Sequence, residues 1–185
     1  MKKVLLIAIV TVFGFTVNAQ GVSFGAKAGA NFASLGGDDA DDLDGRTSFH
    51  IGAVASIGIS EKFSIQPELV YSSQGFTFSE EGIDVTGKLD YIIVPVLADI
   101  SVAKGFSLQV GPQVGFVITD EAEADGETED LDAESTDFGL AVGGQYKTES
   151  GLFFQARYAL GLSDVASDAD VKNNVISLSV GYFFN

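Results

Sequence analysis

The chain contains no cysteine. That absence removes disulfide frameworks, thiolate zinc sites, cysteine nucleophiles and lipid anchoring through an N-terminal cysteine. Positive charge is scarce: 10 Lys and Arg stand against 26 Asp and Glu, a formal charge of −16. Nucleic acid is excluded as a partner, because no basic patch exists to displace counterions from phosphates. Beyond the N-terminal segment no stretch of 18 residues is uniformly apolar, so no helical membrane span is expected. Histidine occurs once, at His50, which leaves little material for a histidine-based catalytic site.

What is abundant is Phe and Gly, 15 and 22 residues in a chain of 185, enough for one domain. The start reads as a targeting segment. "MKK" is a basic opening, "VLLIAIVTVFGFTV" an apolar core, and "VNA" a small-residue cleavage site after Ala19. The core is short for a membrane-spanning helix of about 20 residues, so a removed signal peptide over residues 1–19 is preferred to a retained anchor. The expected mature domain is 20–185. Losing Lys2 and Lys3 leaves eight basic against 26 acidic residues, a net −18.

The mature chain alternates with period two, the signature of strands with two unlike faces. In "VSFGAKAGANF", Val22, Phe24, Ala26, Ala28, Ala30 and Phe32 oppose Ser23, Gly25, Lys27, Gly29 and Asn31. "SFHIGAVASIGI", "FSIQPELVYS", "FSLQVGPQVGFVI", "DFGLAVGGQY", "LFFQARYALGL" and "NVISLSVGYFF" repeat the pattern. "LDYIIVPVLADISV" is apolar on both phases, and its faces are left unassigned. The total is eight strands. Short links at 60–62, 103–105 and 149–151 alternate with long connections near 33–46, 79–87, 120–136 and 164–173. Counting Asp137, 21 of the 26 carboxylates fall in or beside the long connections. Antiparallel strands then put the acidic connections at one end and the short turns at the other.

Alternation alone does not say which face points inward. The polar face is built of Gly, Ser and Gln with few charges, unsuited to the outside of a soluble barrel, which carries many Lys and Glu. It suits the interior of a narrow eight-stranded barrel. Unequal loop lengths, strands of about ten residues and aromatics near strand ends match outer-membrane barrels. Lipid requires every backbone group to be paired, which an even number of closed strands achieves. The expectation is an all-β, eight-stranded, antiparallel up-and-down transmembrane barrel in the outer membrane, with a secreted soluble barrel as the alternative.

"IQPELVYSSQGF" (65–76) and "LDYIIVPVLADI" (89–100) resemble the outer membrane protein beta-barrel domain of PorT-like, "porin family" proteins. The end "SVGYFF" is similar to the terminal strand that outer-membrane assembly machinery recognises by its last aromatic, with Phe184 in that role and Asn185 after it. The resemblance covers the mature chain and implies an outer-membrane barrel that meets that machinery during biogenesis. One branch of the family is associated with protein secretion.

Three groups of residues are candidates for function. Lys27, Glu68 and Arg157, with Gln66, Gln109, Gln113, Gln145 and Gln155, fall on the inward phase. They form either a selective pore or a lumen-filling polar network, and the narrow ring favours the network. Ser48 and His50 share a face, but no third catalytic group is recognisable. In "DEAEADGETEDLDAES" (120–135), Glu121, Glu123, Asp125, Gly126, Glu127, Glu129 and Asp132 fit positions of an EF-hand-like frame for Ca²⁺ or another divalent cation. Glu replaces the usual Asp at the first position and Asp132 the usual Glu at the last, so a solvated loop is preferred. No cofactor is expected beyond such an ion. The implied partners are outer-membrane lipid and lipopolysaccharide, and an unidentified protein with a basic surface at the acidic loops.

Overall fold

The computed structural model describes residues 21–37, 40, 43–80, 83–124, 127–131, 133–166 and 169–184. The expected signal peptide, with Asp125, Gly126 and Asp132 of the cation frame, lies outside the described residues. Nine strands follow in chain order: β1 (Val22–Gly36), β2 (Asp44–Ser60), β3 (Phe63–Glu80), β4 (Ile83–Ala103), β5 (Phe106–Ala124), β6 (Glu127–Asp130), β7 (Thr136–Lys147), β8 (Leu152–Ala166) and β9 (Ala169–Phe184). Eight of them form an antiparallel ring, in which β1 pairs with both β2 and β9, and β5 with both β4 and β7. Closure leaves no free edge in the barrel wall. The ninth strand, β6, is a short arm paired to the end of β5.

The alternating phases are resolved by which side is covered. Phe49, Ile51, Phe106, Leu108, Val142, Phe154, Leu178 and Val180 are exposed, whereas Lys27, Gln66, Glu68, Gln109, Gln155 and Arg157 are buried. Across segments 106–116, 138–146, 154–162 and 176–184 the one charged residue is Arg157, and it points inward. An uninterrupted apolar belt of this extent has no counterpart on a soluble monomer, where exposed patches reach a few hundred Å². It is bordered by aromatics at both ends. Phe24 pairs with Phe184 and Phe106 with Tyr146 near the short turns; Phe32, Phe49, Phe116, Phe138 and Tyr158 lie toward the long connections. Strand β4, whose phase the sequence left open, turns Leu89, Tyr91, Ile93, Pro95 and Leu97 inward and exposes Val96, Ile100 and Val102.

The long connections differ from expectation. Most of their length is strand: β3 and β4 pair up to Glu80 and Ile83, and β4 and β5 up to Thr86 and Glu123. Above the lipid the alternation of polarity ends, because no apolar solvent demands it, yet the backbone is still best satisfied by continuing the ladder. The wall therefore rises past the apolar belt. Gly75 takes φ +130° in this extension, across from a register shift between Gly45 and His50 of β2, and a Cβ there would lie 2.0 Å from the Gly87 carbonyl oxygen. Gly75→Ala combines a disfavoured backbone with a direct clash, so it is expected to destabilise the barrel by about 1–3 kcal/mol in urea unfolding.

Candidate functional site

The lumen is layered. Nearest the short turns is an open vestibule of about 200 Å³, lined by Ser64, Asp99, Ser107, Gln145 and Lys147 among others. There Asp99 accepts hydrogen bonds from Ser107 Oγ at 2.8 Å and Gln109 Nε2 at 2.7 Å. Alongside lies a small apolar cluster of Val54, Phe153 and Phe183. The two rings sit 4.8 Å apart, and Phe153 crosses Gly181, where a Cβ would meet its ring at 2.2 Å.

Next comes the charged layer. Glu68 on β3 receives Lys27 Nζ at 2.7 Å from β1, and Arg157 Nη1 and Nη2 from β8, at 2.9 and 2.7 Å. The two-pronged Arg geometry fixes the carboxylate in plane. Gln66 donates to Glu68 at 2.9 Å, Lys27 donates to Gln155 at 2.9 Å, and Gln155 donates to Gln109 at 2.8 Å. All the ionic groups are at most 7% exposed. Seven of the eight residues named from sequence on the inward phase (Lys27, Gln66, Glu68, Gln109, Gln145, Gln155, Arg157) thus share one bonded cluster. The eighth, Gln113, lines a cavity of about 40 Å³ on the same inner face.

A layer of uncharged polar groups follows. His50 bonds Asn31 Oδ1 through Nδ1 and Ser179 Oγ through Nε2, both at 2.8 Å. Asn31 Nδ2 also donates to Ser72 Oγ and to the Ser73 carbonyl. Ser48 Oγ donates to that same carbonyl at 2.6 Å. His50 is therefore held by Asn31 and Ser179, with neither nitrogen directed at the Ser48 hydroxyl, and a serine–histidine pair is not formed. Sequence reasoning had singled out neither Ser179 nor Ser72. Their signal was only their phase on polar faces, because the strand pairing that brings them to His50 is nonlocal.

The end with the long connections is capped by apolar side chains. Leu89, Tyr91, Ile93 and Val165 form a buried cluster, with Leu35, Phe76, Val117, Leu131 and Ala133 packed on it. Leu131 and Ala133 belong to the acidic stretch that was expected to stay in water. Backbone bonds fasten that stretch down: Leu131 N to Asp120 O at 2.9 Å, Glu134 N to Val165 O at 2.8 Å and Val117 N to Ser135 O at 3.1 Å. Ala133 N also reaches Asp120 Oδ2 at 3.2 Å. Glu123, Glu127, Glu129, Asp130 and Glu134 are exposed, and Asp120 and Glu121 half-buried, while Leu131 and Ala133 fold over the barrel mouth.

Pairing of β5 and β6 lays the proposed cation frame out as a hairpin. Glu121 opposes Asp130 and Glu123 opposes Thr128, while Glu127 and Glu129 oppose Ala124 and Ala122. Directly opposed residues share a face, so Glu121 and Glu123 lie on one side and Glu127 and Glu129 on the other. Among the described residues no three His, Asp or Glu side chains gather in a metal-binding group. Glu123 instead pairs with Lys88 of β4, and this hydrogen bond and charge hold its carboxyl below the usual range. On the far side Lys172 bonds Asp170 and, at 3.1 Å, Asp164, which raise its ammonium above the usual range. A depressed acid stabilises the fold above its unfolded pKa, and that contribution is lost as pH falls through the folded value. Carbon NMR is expected to show Glu123 titrating below an ordinary glutamate, and returning to the ordinary range in Lys88→Met.

A closed ring of strands, apolar outside and polar inside, defines a membrane-spanning β-barrel. Residues 18–167 match the family described as outer membrane protein beta-barrel domain, and the chain belongs to that family. It is an outer-membrane protein. Among solved structures it is similar to Neisserial surface protein A, with a TM-score of 0.65 at 17% identity, covering 89% of this chain and 100% of that one. It is also similar to Ail, the attachment invasion locus protein of Yersinia pestis, with a TM-score of 0.57 at 19% identity, covering 90% of this chain and 100% of that one. At these identities the likeness is one of fold. No curated protein matches the chain.

Proposed function

We propose that the protein is a non-enzymatic outer-membrane barrel whose lumen is closed, and that its acidic end faces the cell exterior in a structural or surface-interaction role. The observation that carries this reading is the Lys27–Glu68–Arg157 network, which crosses the lumen between β1, β3 and β8, together with the Tyr91 cluster at the end with the long connections. Narrow eight-stranded rings are filled by side chains, and aqueous channels belong to rings of about 16 strands. The exposed carboxylates of β5 and β6 attract divalent cations from the medium. Such ions bridge to anionic lipopolysaccharide or are displaced by a partner with a basic surface. The assembly machinery would meet the chain through its terminal aromatic strand.

Planar-bilayer recording tests the closed lumen. Purified protein is expected to give no steady unitary conductance. A reproducible conductance step would instead establish the second reading, a small-solute pore, which the polar lumen and the vestibule of about 200 Å³ favour.

A further inference from the structure

The buried charges do not balance. Lys27 and Arg157 share a single carboxylate, Glu68, and these three are the ionised groups among the described buried residues, with His50 taken as neutral. Two further inward carboxylates form no ion pair with Lys27 or Arg157: Asp99 at the vestibule accepts from Ser107 and Gln109, and reaches the charged cluster only through the Gln109 amide, while Asp137 accepts from Ser163 on β8. One positive charge is left over in a region walled by lipid-facing strands, where an uncompensated ion is costly. Arg157 Nε, fully covered, has no hydrogen-bond partner among the described residues. Beside these groups lies the cavity of about 40 Å³, lined by Lys27, Arg157, His50, Asn31 and Gln113, with no carboxylate in its wall. That volume holds about three waters, or one halide with a water. Water would satisfy the orphan N–H but would leave the charge.

We propose that this cavity binds one small monovalent anion of the chloride-to-bromide class, held by Lys27 and the free face of Arg157, which neutralises the cation left over by their shared Glu68. The anion is an internal counter-ion, distinct from any ligand of the acidic end. The site discriminates by size and charge, since a bulky organic anion does not fit and a divalent anion would overshoot neutrality.

Crystals of the wild-type protein soaked in sodium bromide test this directly. Anomalous scattering is expected to show one bromide in contact with Lys27 Nζ and Arg157 Nε. Exchanging sodium gluconate for sodium chloride at constant ionic strength is expected to raise the melting temperature in micelles by about 2–4 °C. Lys27→Met, which keeps the Arg157–Glu68 pair and removes the surplus charge, should lose both the peak and the shift. A cavity holding water alone, with equal melting temperatures in the two salts, would overturn the proposal. So would an equal chloride shift in Lys27→Met. The bromide soak needs no variant, so a poorly folding mutant does not leave the question open.

Discussion

Replacing Glu68 by glutamine is expected to lower the unfolding free energy by about 3–5 kcal/mol, the usual penalty for removing one member of a buried ion group. The amide keeps the shape and some hydrogen bonding but leaves Lys27 and Arg157 facing each other with no carboxylate between them. Both are covered, at 4% and 7% exposure, so water cannot restore the lost solvation. The triple variant Lys27→Met, Glu68→Leu, Arg157→Met removes all the charges together and is expected to fall much closer to the wild type, or above it. Urea titration of the barrel refolded in lipid vesicles, read by the mobility difference between heated and unheated samples, measures both. A loss below about 1 kcal/mol in Glu68→Gln would show that these groups are hydrated, and would speak against a closed lumen.

The second large effect is on the outer surface. Val142 sits midway along the lipid-facing side of β7, between Phe138 and Tyr146, and is 50% exposed. Val142→Arg is expected to cost about 2–4 kcal/mol, because the guanidinium would sit at the middle of the hydrocarbon layer. Thr47→Arg, on the outward phase of β2 beside Phe32 at the edge of the belt, should cost about 0–1 kcal/mol. The contrast is the informative quantity. On a water-exposed barrel both changes would stay within about 0.5 kcal/mol, so equal small effects would exclude a lipid-facing belt.

The faces of β1, β5, β8 and β9 were readable because alternation is local geometry and each strand carried one apolar and one polar set. Strand β4 was not readable. With Leu89, Tyr91, Ile93 and Leu97 inward and Ile92, Val94, Val96 and Ile100 outward, it is apolar on both faces. Only its pairing with β3 and β5 sets the phase. The acidic stretch misled for a related reason. Its carboxylates suggested a loop, yet Ala122 and Ala124 alternate with Glu121 and Glu123 in a paired strand. Leu131 and Ala133 have a burial site only once the barrel mouth exists.

By itself the sequence determined a chain of amphipathic strands with a nearly uncharged polar face. That suffices for a membrane barrel, because lipid outside and a narrow lumen inside admit little else. Tertiary structure alone decided which charges meet. Arg157 and Glu68 are 89 residues apart, and no local preference of either strand brings them together. Closure of the ring does so, leaving two cations on one buried carboxylate. The physical reason is that alternation sets only which way a side chain points, whereas its partner across the lumen is set by the register of every strand between them.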